Sequence, residues 1–241
     1  MPAIATALGT PFGSPLALAY PLTIPSLTEW FDYRTLASVG NGNQVSSWAG
    51  NKSVYTLTQT GTPRPTYVSN AGDGKAGVQF DSVNDYMAAT ITNFGLYGST
   101  GDYEVWTFVN QSAPGAGASG WLASADYVNN GVQMAANSGN LLIWSPTYPT
   151  DSTVVSTSLF DSAWHLIRFS KQGARRIVQI DGTTVSDVTT SAGTMVDGSN
   201  SVILGTWNGN FLLGYYRHAL FFKNVLDSTT AGKLTTYLLA A

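Results

Sequence analysis

Gly77-Val78-Gln79-Phe80-Asp81-Ser82-Val83-Asn84-Asp85-Tyr86-Met87 is the stretch whose reading decides the fold class. Val78 and Phe80 flank Gln79 in the period-two pattern of a strand with one buried face. Asp81, Ser82, Asn84 and Asp85 then crowd four turn-forming side chains into five positions, before Tyr86 and Met87 resume an apolar run. Short polar side chains favour such turns because they bond to nearby backbone amides. The stretch predicts strand, tight polar loop, strand. The composition agrees: of 241 residues, 44% are hydrophobic and 12% aromatic, but only 10% are charged. That balance suits short strands and tight turns rather than long helices.

Several function classes drop out at once. A formal net charge of −3 gives no basic surface for a nucleic-acid partner, and Arg175-Arg176 is the only adjacent basic pair. With no cysteine, disulfides, thiol catalysis and cysteine-ligated metals are excluded, which suits assembly in the cytoplasm and does not exclude export. No apolar run approaches the roughly 20 residues that cross a bilayer, so no membrane partner is expected. No Lys or Arg precedes Arg34, so the basic start of a secretory signal is missing.

Residues 1–28 differ from the rest. Five of the ten prolines fall here (Pro2, Pro11, Pro15, Pro21, Pro25), and the first charged side chain is Glu29. Closely spaced prolines favour an extended path. Ile4, Leu8, Phe12, Leu16, Leu18, Tyr20, Leu22 and Ile24 make the segment too apolar for a solvated linker. Such an arm wants a groove, on its own domain or on a neighbouring subunit. Phe12, Leu16, Leu18, Tyr20, Leu22 and Ile24 are its expected contact residues.

Residues 29–241 read as one all-β domain. Tyr103 to Val109 is a continuous β-prone run, as expected of a sheet centre. Trp121–Ala125, Val132–Ala135 and Leu141–Trp144 predict a meander, and Ile177–Ile180 followed by Asp181-Gly182 predicts a hairpin. Gly72 to Gly77 spells G-x-G-x-x-G, but a strand-like Val78-Gln79-Phe80 follows where a dinucleotide site needs a helix. It reads as a glycine turn. Asp227 or Ser228 caps a closing helix that runs to Leu239.

Five of these segments, in order, resemble the laminin-G-like, concanavalin A-type domains. They are Trp30-x-Asp32 with Val45-x-x-Trp48; Arg64-Pro65-x-Tyr67; Phe80-Asp81 with Asn84-Asp85-Tyr86; Asp161-x-x-Trp164-His165 with the Asp181-Gly182 hairpin; and the Leu226-Asp227 cap with Tyr237-Leu238. The resemblance implies an antiparallel two-sheet jelly-roll sandwich with a short C-terminal helix, both opening tryptophans in the core. That family often carries an acidic residue in its last strand, where this chain has Arg217 and His218. Sparse charge, no cysteine and an apolar arm also resemble phage or virus structural proteins, in capsid decoration or as tail adhesins. That likeness implies virion subunits as partners, and a homo-oligomer or lattice. The other expectation is a secreted carbohydrate-binding lectin module.

Candidate chemistry is thin. Glycanases of this fold carry Glu-x-Asp-x-x-Glu on one strand, and neither Glu29 nor Glu104, the only two glutamates, begins it. Asp102 and Glu104 stand two apart before a core-like strand, as strand-end acids also do. His165 and His218 come without a G-x-S-x-G elbow, so no catalytic group is expected. Asp81, Asn84 and Asp85 offer hard oxygens to calcium, the one cofactor considered, against capping of their own turn. Trp144 with Tyr148, and Trp207 with Asn208 and Asn210, offer aromatic platforms beside amides for a glycan, against burial at a sheet edge.

Overall fold

Every residue of Tyr103–Gln111 is buried, as a β-prone run without polar alternation predicts. The computed structural model describes residues 20–92, 102–112, 118–124, 132–137, 140–144, 152–155, 159, 161–189, 199–207 and 209–241. In chain order its strands are β1 (Leu27–Asp32), β2 (Ser47–Ala49), β3 (Thr56–Thr58), β4 (Thr66–Val68), β5 (Gly77–Asp81) and β6 (Met87–Thr92). Then come β7 (Tyr103–Gln111), β8 (Ala118–Ser124), β9 (Gln133–Asn137), β10 (Asn140–Trp144), β11 (Ser152–Val155) and β12 (Trp164–Gln172). The last are β13 (Arg175–Ile180), β14 (Thr183–Thr189), β15 (Ser199–Leu204), β16 (Thr206–Trp207), β17 (Asn210–Phe211) and β18 (Leu213–Phe222), before helix α1 (Ser228–Ala240).

Two antiparallel sheets form a sandwich. The first runs β14-β13-β12-β7-β18-β5-β4, and β1 pairs with β18 beside β5. The second runs β11-β10-β9-β8-β15-β6-β3-β2. The segments expected as strand, loop, strand became β5 and β6, one in each sheet. The expected meander is β8-β9-β10.

Alternation along β7 explains why it is buried throughout. Tyr103, Val105 and Val109 enter the core between the sheets, with Phe31, Trp48, Phe80 and Phe221. Trp106 and Phe108 face the opposite way, into a second apolar layer with Trp30, Leu166, Leu220 and Phe222. Helix α1 lays Ala231, Leu234 and Leu238 over that layer. Trp30 and Trp48 are both fully buried, but Trp30 belongs to the outer layer and Trp48 to the inner core. Asp227 is the helix cap, its carboxylate accepting the Thr230 N–H at 2.9 Å.

The described end of the arm packs on its own domain. Tyr20 lies 5.8 Å from Tyr237 of α1, ring centre to ring centre, and Ile24 is buried in the outer layer. Leu22 is exposed. Phe12, Leu16 and Leu18 lie outside the described residues. The β13–β14 turn is the expected Asp-Gly hairpin, with Asp181 at φ 52° and Gly182 at φ 83°.

One carboxylate joins β1 to the edge of the second sheet. Glu29, fully buried, accepts the N–H groups of Trp30 (2.9 Å) and Lys52 (2.8 Å) on one oxygen, and those of Val54 and Tyr55 (both 3.0 Å) on the other. Gly50 lies so close that a Cβ there would fall 2.2 Å from the Glu29 carboxyl carbon. Glu29→Gln places an amide against two buried donors, and a buried unsatisfied donor costs about 1–3 kcal/mol. The variant should therefore lose about 2–6 kcal/mol in denaturant unfolding, and Gly50→Ala should be comparably destabilised. Unchanged midpoints in both would refute this role for Glu29.

Candidate functional site

The residue types singled out in the sequence land in three places. Trp144 closes β10, opposite Gln133 of β9 and Ser152 of β11. Trp207 and Asn210 face each other across the short β16–β17 pair, where the Asn210 carbonyl accepts the Thr206 hydroxyl. The side chains of Trp144 and Trp207, and all of Tyr148 and Asn208, lie outside the described residues.

Around Asp81 the polar loop serves its own backbone. Asp81 accepts the N–H groups of Val83 (2.8 Å) and Asn84 (3.4 Å), and Asp85 accepts the N–H of Asp81 at 3.1 Å. Burial, then the neighbouring Asp81 charge, pushes the Asp85 carboxyl up to about 6. Among the described residues no group of three or more acidic or histidine side chains is arranged to hold a metal ion. Two carboxylates engaged with backbone amides do not make a shell of six to eight oxygens.

Glu104 is a structural acid. It is fully buried, accepting Arg168 at 2.7 Å and the Leu226 N–H at 3.2 Å on one oxygen and the Trp106 indole on the other. Burial raises its pKa against the lowering effect of Arg168. Asp102 accepts the Gly173 N–H at 2.7 Å. His165 lies between Asp181 (2.8 Å) and Asp161 (3.1 Å), and the bond to Asp181 chiefly raises its pKa. His218 is enclosed by Trp30, Tyr33 and Phe108, and burial lowers its pKa to about 4. It is fully buried among these rings, its Nδ1 3.6 Å from Asp32.

A different set of side chains forms the site. Register aligns Trp164 of β12 with Asn110 of β7, Asn110 with Tyr215 of β18, Tyr215 with Gln79 of β5, Gln79 with Thr66 of β4, and Thr66 with Gln44. Paired residues of antiparallel strands share a face. Here that is the outer face of the first sheet, because Val78, Phe80, Tyr67 and Val45 all enter the inner core. Trp164, Tyr215, Gln79 and Thr66 are partly exposed, Gln44 is exposed, and Asn110 is buried between the two aromatics.

The aromatic end is braced from several sides. The Arg217 guanidinium stacks 3.9 Å from the Trp164 ring centre, and the Trp164 indole donates to the Ala71 carbonyl at 3.3 Å. Arg217 interrupts the β18–β7 register, and it donates to the Ala76 carbonyl and to Asp73, both at 2.8 Å. The glycine-rich turn read as punctuation is thus the clamp that holds Arg217 under Trp164. Tyr215 stands 6.4 Å from Trp164, ring centre to ring centre. Asn110 donates to the Ser162 carbonyl at 2.6 Å, while its side-chain oxygen has no donor among the described residues.

No protein-family model matches the chain, and the comparison with curated proteins finds no match. Solved structures do match in fold. Domain 4 of AbnA, a GH43 extracellular arabinanase from Geobacillus stearothermophilus in complex with arabinotriose, is similar at TM-score 0.63 and 16% identity, over 87% of this chain and 98% of that one. The binding domain of botulinum neurotoxin serotype G is similar at TM-score 0.66 and 12% identity, over 89% of this chain and 51% of that one. Trypanosoma rangeli sialidase, in complex with 2,3-difluorosialic acid, is similar at TM-score 0.59 and 13% identity, over 87% of this chain and 33% of that one. The chain therefore spans about half of the toxin binding domain and a third of the sialidase. The shared feature is the two-sheet β-sandwich fold.

The Asp85 shift has a measurable consequence. Its folded pKa of about 6 exceeds the ordinary 3.8, so between those values the fold holds the proton more tightly than the unfolded chain does. Stability attributable to this group is lost as pH rises through that window. Asp85→Asn should melt higher than wild type at pH 7 and match it near pH 4, and equal melting at pH 7 would refute the shift. A calcium-dependent rise in melting temperature confined to wild type would instead show that Asp81 and Asp85 take the ion.

Proposed function

We propose that the chain is a non-catalytic carbohydrate-binding module that holds a glycan against the outer-face row around Tyr215. The observation that carries this reading is the aligned set of partly exposed Trp164 and Tyr215 with the amides of Gln79 and Gln44. Aromatic rings offer apolar faces to sugar C–H groups, and amides both donate and accept hydrogen bonds to sugar hydroxyls. The likeness to an arabinanase domain solved with arabinotriose, over nearly that domain's whole length, supports it. The absence of turnover in this proposal rests on the glutamates, since Glu29 and Glu104 are both buried and fully engaged by the fold.

Tyr215→Ala and Gln79→Ala change partly exposed side chains. In calorimetric titration with the tightest-binding sugar of a glycan panel, each should weaken binding at least about tenfold, equal to about 1.4 kcal/mol. Melting temperatures should stay near wild type. Wild-type affinity in both variants would remove the row as the site.

A second reading, a virion structural subunit in capsid decoration or a tail, rests on the apolar, proline-rich composition of residues 1–19. It expects the arm to dock on a neighbouring subunit beyond Tyr20, where the described part packs on its own domain. Light scattering behind a sizing column decides between them. Oligomers that become monomers on deletion of residues 1–19 would favour assembly. Identical monomers with and without the arm would favour a free-standing module.

A further inference from the structure

We infer that the ligand of this row is an uncharged oligosaccharide chain lying across the strands, and that anionic glycans are turned away. This rests on the carbohydrate-binding reading above and narrows it. Trp164, Asn110, Tyr215, Gln79, Thr66 and Gln44 include no side chain charged at neutral pH. From β12 to β4 the row crosses five strands, and neighbouring strands lie about 4.8 Å apart, so it extends about 19 Å. A single sugar ring leaves most of that length uncovered, whereas a short chain fills it.

The surroundings set the sign of the field. Asp81 is exposed and stands two residues from Gln79 on the same face, opposite Leu213. Two residues of strand span about 7 Å, inside the screening length of about 8 Å at physiological salt. Asp161 is half exposed at the Trp164 end, shared with His165. The nearby cations have partners of their own, and Arg64, two residues from Thr66, donates its Nε to the Gly61 carbonyl. Arg217 is buried against Asp73, and the Lys75 ammonium donates to the Ala240 carbonyl.

The test uses the full chain, with linear neutral oligosaccharides of one to six residues and the same chains oxidised to uronic acids, titrated calorimetrically at low and high salt. Affinity for the neutral series should rise with length until the row is filled. The uronic series should bind at least tenfold more weakly at low salt. Asp81→Asn, which keeps an oxygen to cap Val83 and Asn84, should narrow that gap, as should high salt. Uronic chains binding as tightly as neutral ones, or neutral affinity independent of length, would overturn the inference and leave the carbohydrate-binding reading standing. No binding by any chain of either series would overturn both.

Discussion

A sheet covered on both faces leaves no water for the polar groups it carries, and the first sheet answers with buried pairs. Glu104 of β7 meets Arg168 of β12, and the same carboxylate takes the Leu226 amide from the segment that leads into α1. Arg217 of β18 meets Asp73 of the glycine turn. Asp32, ending β1, meets Arg34, whose guanidinium also donates to Tyr237 of α1 at 3.0 Å. Breaking one partner of the Glu104–Arg168 pair costs about 3–5 kcal/mol, because the other charge is left buried alone. Each pair stands where a non-strand segment crosses the sheet. The apolar layer supplies the bulk of the attraction, and the ion pairs fix where each covering segment sits.

Two buried titratable groups pull the pH dependence in opposite directions. His218, held near 4, is protonated more readily in the unfolded chain below its ordinary 6.5, so its contribution falls as pH drops from there toward 4. Asp85, held near 6, acts with the contrary sign across much of the same window. Neither is chemistry at a site. His218 is neutral because Trp30, Tyr33 and Phe108 wall it off, and its Nε2 has no partner among the described residues.

Local signals carried most of the fold and little of the site. Alternation at Val78 and Phe80, the long run through Tyr103, the Asp181-Gly182 turn and the Asp227 cap each encode their own conformation within a few residues. The sandwich follows from them because each strand has one face to bury. The row at Tyr215 has no such signature. Residues 44, 66, 79, 110, 164 and 215 become neighbours only through register across strands distant in sequence. Aromatics at strand ends beside loops, such as Trp144 and Trp207, looked more like platforms because loops announce themselves in sequence. Trp164 looked like framework because it sits in a strand step. The G-x-G-x-x-G stretch was rightly read as a turn, but its Asp73 gains its role only when Arg217 arrives 144 residues later.

Where the cover over the first sheet stops, the row itself carries no charged side chain. The buried pairs stand under α1 and the crossing segments, while the open row beside them holds aromatics, amides and a hydroxyl. A hydrolase needs an acid and a nucleophile about 5 Å apart and facing its substrate, with protons free to move. Here the two glutamates are each consumed by backbone amides or an arginine, so releasing one for catalysis would dismantle a joint of the fold. What remains at the open face is stacking and neutral hydrogen bonding. Each such contact is worth about 0.5–1.5 kcal/mol net, so useful affinity has to come from repeating it along the row. That is why the length of the row matters more to this surface than any one residue in it.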